Sequence, residues 1–457
     1  MKIFNSKSGM KEEFKPLVEG NVGFYLCGPT VYDNAHLGHG RSAVAFDVIR
    51  RYFIYKGYKV KFVSNYTDID DKMINRAAEE GISVPELAER VIPAYEKDYG
   101  DLGVLKPDVQ PKATEYIAEM IVLIERLEAL GYTYLLDDGV YFDVSRYEDY
   151  GKFSGQNLDA LQMGARVEVK DAKRNPQDFV LWKLKKEGEP FWVSPWGDGR
   201  PGWHIECSAM SWKNLGEKFD IHGGGLDLKF PHHECEVAQS LCTFGSGTFA
   251  QYWLHNGFIQ VDNEKMSKSL GNFFTLKDIF AKFDPQVVRF MFLQTHYRNP
   301  INFSDALLEQ SKAGLARLHD FVRSLKTYES VSGSEPLKIE FEKSVCESMD
   351  NDFDTSGAFG SIFLAIRSAN EAMNDVDVNL DSNFFLDQLE RLDKVFGVIF
   401  PLIEMEGLDD SMIALIKERE EARASKDFSR SDEIRDELAA RGIVLEDTAG
   451  GTIWKRI

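Results

Sequence analysis

Val22-Gly-Phe-Tyr-Leu-Cys27 is short, apolar and bounded by turn residues, and it runs into Gly28-Pro-Thr-Val-Tyr-Asp-Asn-Ala-His36-Leu-Gly-His39-Gly40. From about Gly40 through Arg51 to Tyr55 the apolar residues recur at helical spacing, and Lys59-Val-Lys-Phe-Val-Ser64 then reads as a second strand. Strand, loop, helix and strand make a βαβ unit, which requires parallel strands and a right-handed crossover. The fold class is therefore α/β, a Rossmann-like parallel sheet. His36 and His39 fall in the loop that opens its first helix.

Working outward, residues 1–110 form the first half of the sheet domain. Between 111 and 200 the texture changes to a helix (Ala113 to Leu130), a hairpin-like stretch (Tyr132 to Val144) and polar segments, which reads as a connective insertion. Sheet-like material resumes over 201–250, with Phe219-Asp-Ile-His222, a helix from about His232 to Thr243, and then Tyr252-Trp-Leu-His-Asn256. Residues 251–304 carry Lys265-Met-Ser-Lys-Ser269. From Asp305 to about 404 the pattern is that of a helical bundle, with an inter-helix loop at Val331 to Pro336. Residues 405–457 read as a small α+β domain of two charged helices (Met412 to Ala424, Ser429 to Arg441) and a terminal β-hairpin.

With 457 residues, 43% of them hydrophobic, the chain has enough apolar material for several cores. It has no run of 18 apolar residues and no apolar leader at Met1, so a cytoplasmic protein without membrane association is expected. Cysteines at 27, 207, 235, 242 and 346 are too scattered for a disulfide framework and suit reduced thiols or metal ligands. The net charge of −20 by itself argues against a nucleic-acid partner. The charge is uneven, however: residues 411–457 hold nine basic and ten acidic side chains, so this tail is almost neutral.

A phosphate chain binds well where a strand runs into a helix, because the first amides of the helix lack partners and its dipole favours anions. His36 and His39, three apart, share one face if the helix starts near them and then reach the same phosphate. Lys265 and Lys268, also three apart, suit neutralisation of a pyrophosphate leaving group. Such chemistry needs positioning and charge, with no protein nucleophile.

A second constellation suits a metal. His232 and Glu236 are four apart on an expected helix and point to one face; Cys27 ends the first strand, and Cys207 lies where the sheet domain resumes. Two thiolates, an imidazole and a carboxylate suit Zn²⁺. Cys235, His222 and His233 stand close enough in sequence to be alternative ligands, and the bland reading makes Cys27 and Cys207 buried structural thiols.

In order along the chain, Cys27-Gly-Pro-Thr-Val-Tyr-Asp33, Asn65-Tyr-Thr-Asp-Ile-Asp-Asp-Lys72, Gly202-Trp-His-Ile-Glu-Cys-Ser-Ala-Met210, His222-Gly-Gly-Gly-Leu-Asp227, Phe230-Pro-His-His-Glu234 and Lys265-Met-Ser-Lys-Ser269 resemble the class I aminoacyl-tRNA synthetases, and among them the cysteinyl-tRNA synthetases. The resemblance spans essentially the whole chain. It implies a ligase that uses Mg-ATP, L-cysteine and tRNA(Cys), and a monomer. It implies that His36, His39, Lys265 and Lys268 are catalytic and that Gly38, His39, Asp227 and Lys268 bind ATP. One Zn²⁺ would be held by Cys27, Cys207, His232 and Glu236, with Thr67, Trp203 and His222 around the substrate cysteine. The 405–457 tail would be the anticodon-binding domain, with Trp454, Lys455 and Arg456 on the RNA. Cys235 departs from the family pattern, where Asn is usual. Two rivals share these motifs: a ligase joining cysteine to an amino sugar, which lacks the tail, and a non-catalytic RNA-binding derivative, which intact histidines and lysines argue against.

Overall fold

The first strand of the parallel sheet, β1 (Asn21–Leu26), leads through the 27–36 loop into α1 (Leu37–Tyr55) and back along β2 (Lys59–Ser64). β1 and β2 pair in parallel, Phe24 opposite Phe62 and Leu26 opposite Ser64. After residue 201 the chain returns as α2 (Trp203–Leu215), β3 (Lys218–Gly225), α3 (Glu234–Phe244) and β4 (Phe249–Asn256). The sheet order is β4-β3-β1-β2, parallel throughout. All four strands therefore end on one edge, where Cys27, Asn65, Gly225 and Asn256 lie. In an open α/β sheet that carboxyl edge is where ligands bind.

Phe24 shows how the helix is held on the sheet: its ring lies 5.0 Å from Phe62 and 5.9 Å, edge-on, from Phe46 of α1. All three rings are buried, and each contributes about 1.5–3 kcal/mol on leaving water. The buried Asp47 on α1 accepts from Arg289 at 2.6 Å, from Arg51 at 2.8 Å and from the Leu105 amide at 2.9 Å. One carboxylate thus ties α1 to the helix Pro285–Leu293 and to the segment after Val84–Asp101.

The structure, a computed structural model, describes residues 1–156, 172–266, 273–329, 335–401, 410–425, 427–448 and 451–456. It forms two compact units, Met1–Ser311 with Ser344–Phe359, and Lys312–Lys343 with Gly360–Ile457. In the first, the chain between β2 and α2 forms an antiparallel meander of Thr133–Leu136, Gly139–Phe142, Phe179–Leu184 and Gly199–Pro201. The helix expected from Ala113 begins as a 3-10 turn, Ala113–Tyr116, and becomes α-helical over Ile117–Ala129. A hairpin, Lys2–Asn5 with Met10–Glu13, precedes the sheet; its short strands carry no periodic signal. The second unit is helical and ends in the helices Asp410–Ala424 and Phe428–Ala440 and the hairpin Ile443–Thr448 with Gly451–Arg456. Ile434, Leu438, Ile443 and Leu445 form a small core for this tail, flanked by Met412, Leu415 and Ile416. Most of the loop expected at Val331 to Pro336 lies outside the described residues. Among the described residues no helix is long and apolar enough to cross a membrane.

Candidate active site and metal centre

α1 begins three residues earlier than its apolar periodicity suggests. His36 is its N-cap: the His36 Nδ1 accepts from the His39 amide at 3.3 Å, and the His39 Nδ1 accepts from the His36 amide at 3.3 Å. This reciprocal box satisfies backbone donors that a helix start leaves open. It also stacks the two imidazoles, with centroids 3.5 Å apart and planes 20° apart. Gly38 sits beneath them, and a Cβ there would lie 2.9 Å from Cε1 of His36, so only glycine leaves the ring in place.

α2 and α3, which pack on each other beside the end of β1, bring the sulfur, carboxylate and imidazole groups together. Cys27 Sγ lies 3.5 Å from Cys207 Sγ and 3.4 Å from Glu236 Oε1, and His232 Nε2 lies 3.1 Å from the same Oε1. The ligand atoms of Cys27, Cys207, His232 and Glu236 are all within 4.8 Å of one another, and all four residues are buried. A tetrahedral ion about 2.0–2.3 Å from each donor needs donor separations of about 3.3–3.8 Å, so this set fits Zn²⁺ with small adjustments. His232 lies in the turn Lys229–His233 rather than on α3, because Phe230 before Pro231 is extended (φ −140°, ψ 133°). The four-residue spacing to Glu236 still brings the two side chains together.

Cys27, His222, His233 and Glu236 also cluster. In that group His222 Nε2 is 2.9 Å from Glu236 Oε2 and His233 Nδ1 is 2.8 Å from His255 Nε2. Cys235 belongs to neither group; its Sγ meets the Tyr150 hydroxyl at 3.3 Å.

The electrostatics favour a cation. Burial alone would push the Cys207 thiol up, but hydrogen bonds from Cys27 and His232 and the His232 charge outweigh it, bringing the thiol from 9.0 down to about 6. Burial likewise opposes ionisation of Glu236, yet the neighbouring His222 and His232 hold its carboxyl at about 2. His232, against the pull of burial, is pushed up to about 10 by Glu236 and Cys207. Burial and the bond to Cys207 push the Cys27 thiol up. Two anionic groups and two retained protons thus occupy one buried spot, an arrangement in which a divalent ion takes the place of the protons.

Sequence reasoning passed over the residues that orient this cluster. The Asn65 Oδ1 accepts from the Gly28 amide at 2.9 Å and from the Tyr25 hydroxyl at 3.0 Å, and lies 3.8 Å from Cys207 Sγ. His204 Nδ1 meets His232 Nδ1 at 3.0 Å. Both stand inside the family-like segments, Asn65 opening the one that ends at Lys72 and His204 following Trp203, and a polar residue at the carboxyl end of an apolar strand is the one signal that marks Asn65.

A cavity of about 330 Å³ opens at the carboxyl edge. Cys27, His36, Gly38, His39, Trp203 and Asp227 all line it. Trp203 also packs on the His232 ring, centroids 4.3 Å apart. Thr67 and His222 stand behind that wall: Thr67 Oγ1 donates to Glu206 at 2.8 Å, and His222 stacks on Trp253 at 4.3 Å. Met266 lines the cavity too, its amide donating to Ile259 at 3.1 Å. The backbone of Lys265 pairs with Gln260, while its side chain, Ser267, Lys268 and Ser269 lie outside what is described. Beyond them, Leu37 donates to Phe274 O and Leu276 to Ala35 O, stitching the chain after the lysine motif to the approach of His36. Trp454, Lys455 and Arg456 lie in the second unit, on the last strand, opposite Leu445, Val444 and Ile443.

The family described as tRNA synthetases class I (C) catalytic domain matches residues 13–313, a DALR domain matches 344–400, and a cysteinyl-tRNA ligase anticodon binding domain matches 405–454. Cysteine–tRNA ligases of Geobacter metallireducens and Escherichia coli O157:H7 are 48% and 49% identical, over 100% of this chain and 99% and 100% of theirs. The chain belongs to the cysteinyl-tRNA synthetase family. It is thus an ATP-dependent aminoacyl-tRNA ligase with a class I catalytic fold. That fold is shared with Mycobacterium tuberculosis methionyl-tRNA synthetase in complex with methionyl-adenylate (TM-score 0.61, 15% identity, 82% of this chain and 92% of that one). It is shared too with an Agrobacterium radiobacter leucyl-tRNA synthetase (TM-score 0.62, 12% identity, 85% of both chains).

Proposed function

We propose that this synthetase activates L-cysteine with Mg-ATP to cysteinyl-adenylate and transfers the cysteinyl group to the 3′ end of tRNA(Cys), selecting its amino acid by the thiol. The observation that carries this reading is that the buried Cys27, Cys207, His232 and Glu236 cluster contributes Cys27 to the wall of the same cavity that His36, Gly38, His39 and Asp227 line. One pocket therefore offers a metal centre and a phosphate site.

In the first step a carboxylate oxygen of cysteine bonds to the α-phosphorus as the bond to pyrophosphate breaks. His36 and His39, stacked at the N-terminus of α1, donate to the phosphate oxygens as their charge grows, and Lys265 and Lys268 receive the leaving pyrophosphate. Asp227 faces the ribose, and Trp203 closes the cavity over the substrate. In the second step a terminal ribose hydroxyl of the tRNA, the 2′-hydroxyl in class I enzymes, attacks the acyl carbon and AMP leaves.

Serine is nearly isosteric with cysteine, and shape alone does not separate such a pair by the factor of about 10⁴ that translation demands. Cys27, Cys207, His232 and Glu236 would hold Zn²⁺, which supplies a soft Lewis-acidic contact for sulfur that an alcohol does not match. Residues 1–110 and 201–250 then act as halves of the catalytic domain, 111–200 as a connective insertion and 251–304 as the signature-loop region. The bundle at 305–404 links these to the 405–457 tail, whose Trp454, Lys455 and Arg456 stack on and hold anticodon nucleotides. The test is amino-acid-dependent ATP–pyrophosphate exchange across the twenty amino acids. Cysteine alone should support it, and exchange with serine within about tenfold of cysteine would overturn thiol selection.

A further inference from the structure

Tyr95 belongs to no motif. It lies on the helix Val84–Asp101, is 1% exposed, and packs on Tyr66 and Tyr99 with centroids 6.3 and 5.8 Å away. Its hydroxyl stands 3.2 Å from Nδ1 of His39. The same Nδ1 lies 3.3 Å from the amide of His36. A backbone N–H only donates, so Nδ1 of His39 must present its lone pair there, and the ring proton of a neutral His39 is on Nε2. The tyrosine hydroxyl, facing the same lone pair, is then a donor. Two donors on one lone pair make a three-centre bond, which accounts for the length of both contacts. Burial keeps the phenol protonated by raising its pKa well above the usual value.

We infer that Tyr95 is a positioning residue for adenylate formation: its hydroxyl holds His39 in the tautomer, and at the tilt, that presents Nε2–H to the α-phosphate. The inference rests on the proposed reading of the cavity as the adenylation site. Without the Tyr95 hydroxyl the His39 ring keeps its bond to the His36 amide and its stack on the His36 ring, and loses a hydrogen bond to the helix Val84–Asp101. Tyr95 also brings a second chain segment to bear on His39, since its helix is fixed at its own start by Ser83 and Glu86 rather than by α1. Losing one such neutral hydrogen bond is expected to slow the step by roughly two- to tenfold.

Tyr95→Phe, which keeps the ring and removes only the hydroxyl, should lower kcat for cysteine-dependent pyrophosphate exchange by roughly two- to tenfold and leave KM for ATP and cysteine within about twofold. Tyr66→Phe, a hydroxyl removed from the neighbouring ring, should leave both unchanged. In ¹⁵N-histidine spectra of the full chain, the His39 Nδ1 should be unprotonated in the parent enzyme, and its signal should move in Tyr95→Phe. An unchanged kcat, an equal rise in KM, or an unmoved Nδ1 signal overturns the inference. If Tyr95→Phe fails to fold, a parent spectrum with His39 protonated on Nδ1 at neutral pH does so alone. Absence of exchange in the parent enzyme would sink the adenylation reading instead, while the spectra still decide whether Tyr95 sets the tautomer.

Discussion

The thiol of Cys207 is held low by its neighbours although it is buried, and replacing sulfur with oxygen removes both the anion and the soft donor. Cys207→Ser should therefore lose most of the roughly one zinc per chain expected of the Cys27, Cys207, His232 and Glu236 set, measured by atomic absorption after dialysis. Cysteine affinity should fall more than ATP affinity, because the metal would hold the thiol of cysteine while ATP is held at the N-terminus of α1. Full cysteine activation by that zinc-free protein would remove the metal from the mechanism. Cys235 is the control at the same scale: its sulfur faces Tyr150, so Cys235→Asn should keep zinc content and turnover nearly unchanged. A large zinc loss there would move the ligand set.

Between elements, Glu234 does for the insertion what Asp47 does for α1. Its carboxylate, fully buried at the start of α3, accepts from the Gly151 amide at 2.8 Å and the Ser154 amide at 2.7 Å, and Phe153 between them packs on Trp253 at 4.6 Å. Glu234→Ala strands two amides at a cost of about 1–3 kcal/mol each, so the first thermal transition should drop by several degrees in calorimetry. An unchanged transition would mean that the 151–154 turn is held otherwise. The sequence announces neither this clamp nor Tyr95, because each joins segments far apart in the chain. It does announce the βαβ unit, since apolar runs change period where β1 gives way to α1. It placed the helix onset near Gly40 rather than Leu37 because periodicity counts apolar residues and misses a cap made by two histidines. The meeting of His222 with Trp253 depends on the register of β3 against β4, which spacing does not encode.

For the molecule as a whole, the nearly neutral tail is set against a chain of net charge −20, and it carries its own core of Ile434, Leu438, Ile443 and Leu445. That core draws only on residues of the tail itself, so the deletion removes it whole. Deleting 405–457 should raise the KM for tRNA greatly and spare cysteine-dependent pyrophosphate exchange, both read in parallel assays on one preparation. Undiminished charging of tRNA by a folded truncated enzyme would take the anticodon role from the tail.

The strand order β4-β3-β1-β2 also sets a schedule during synthesis. β1 has only β2 beside it until β3 has emerged, about 160 residues later. At the ribosome's roughly 5–20 residues per second, an edge carrying Phe24 and Tyr25 waits about 8–32 s for its second neighbour. The intervening meander pairs only within residues 133–201 and is complete first. Nascent chains stalled before residue 218 should thus be the ones most in need of a chaperone, and the same open edge is where two such chains would pair with each other.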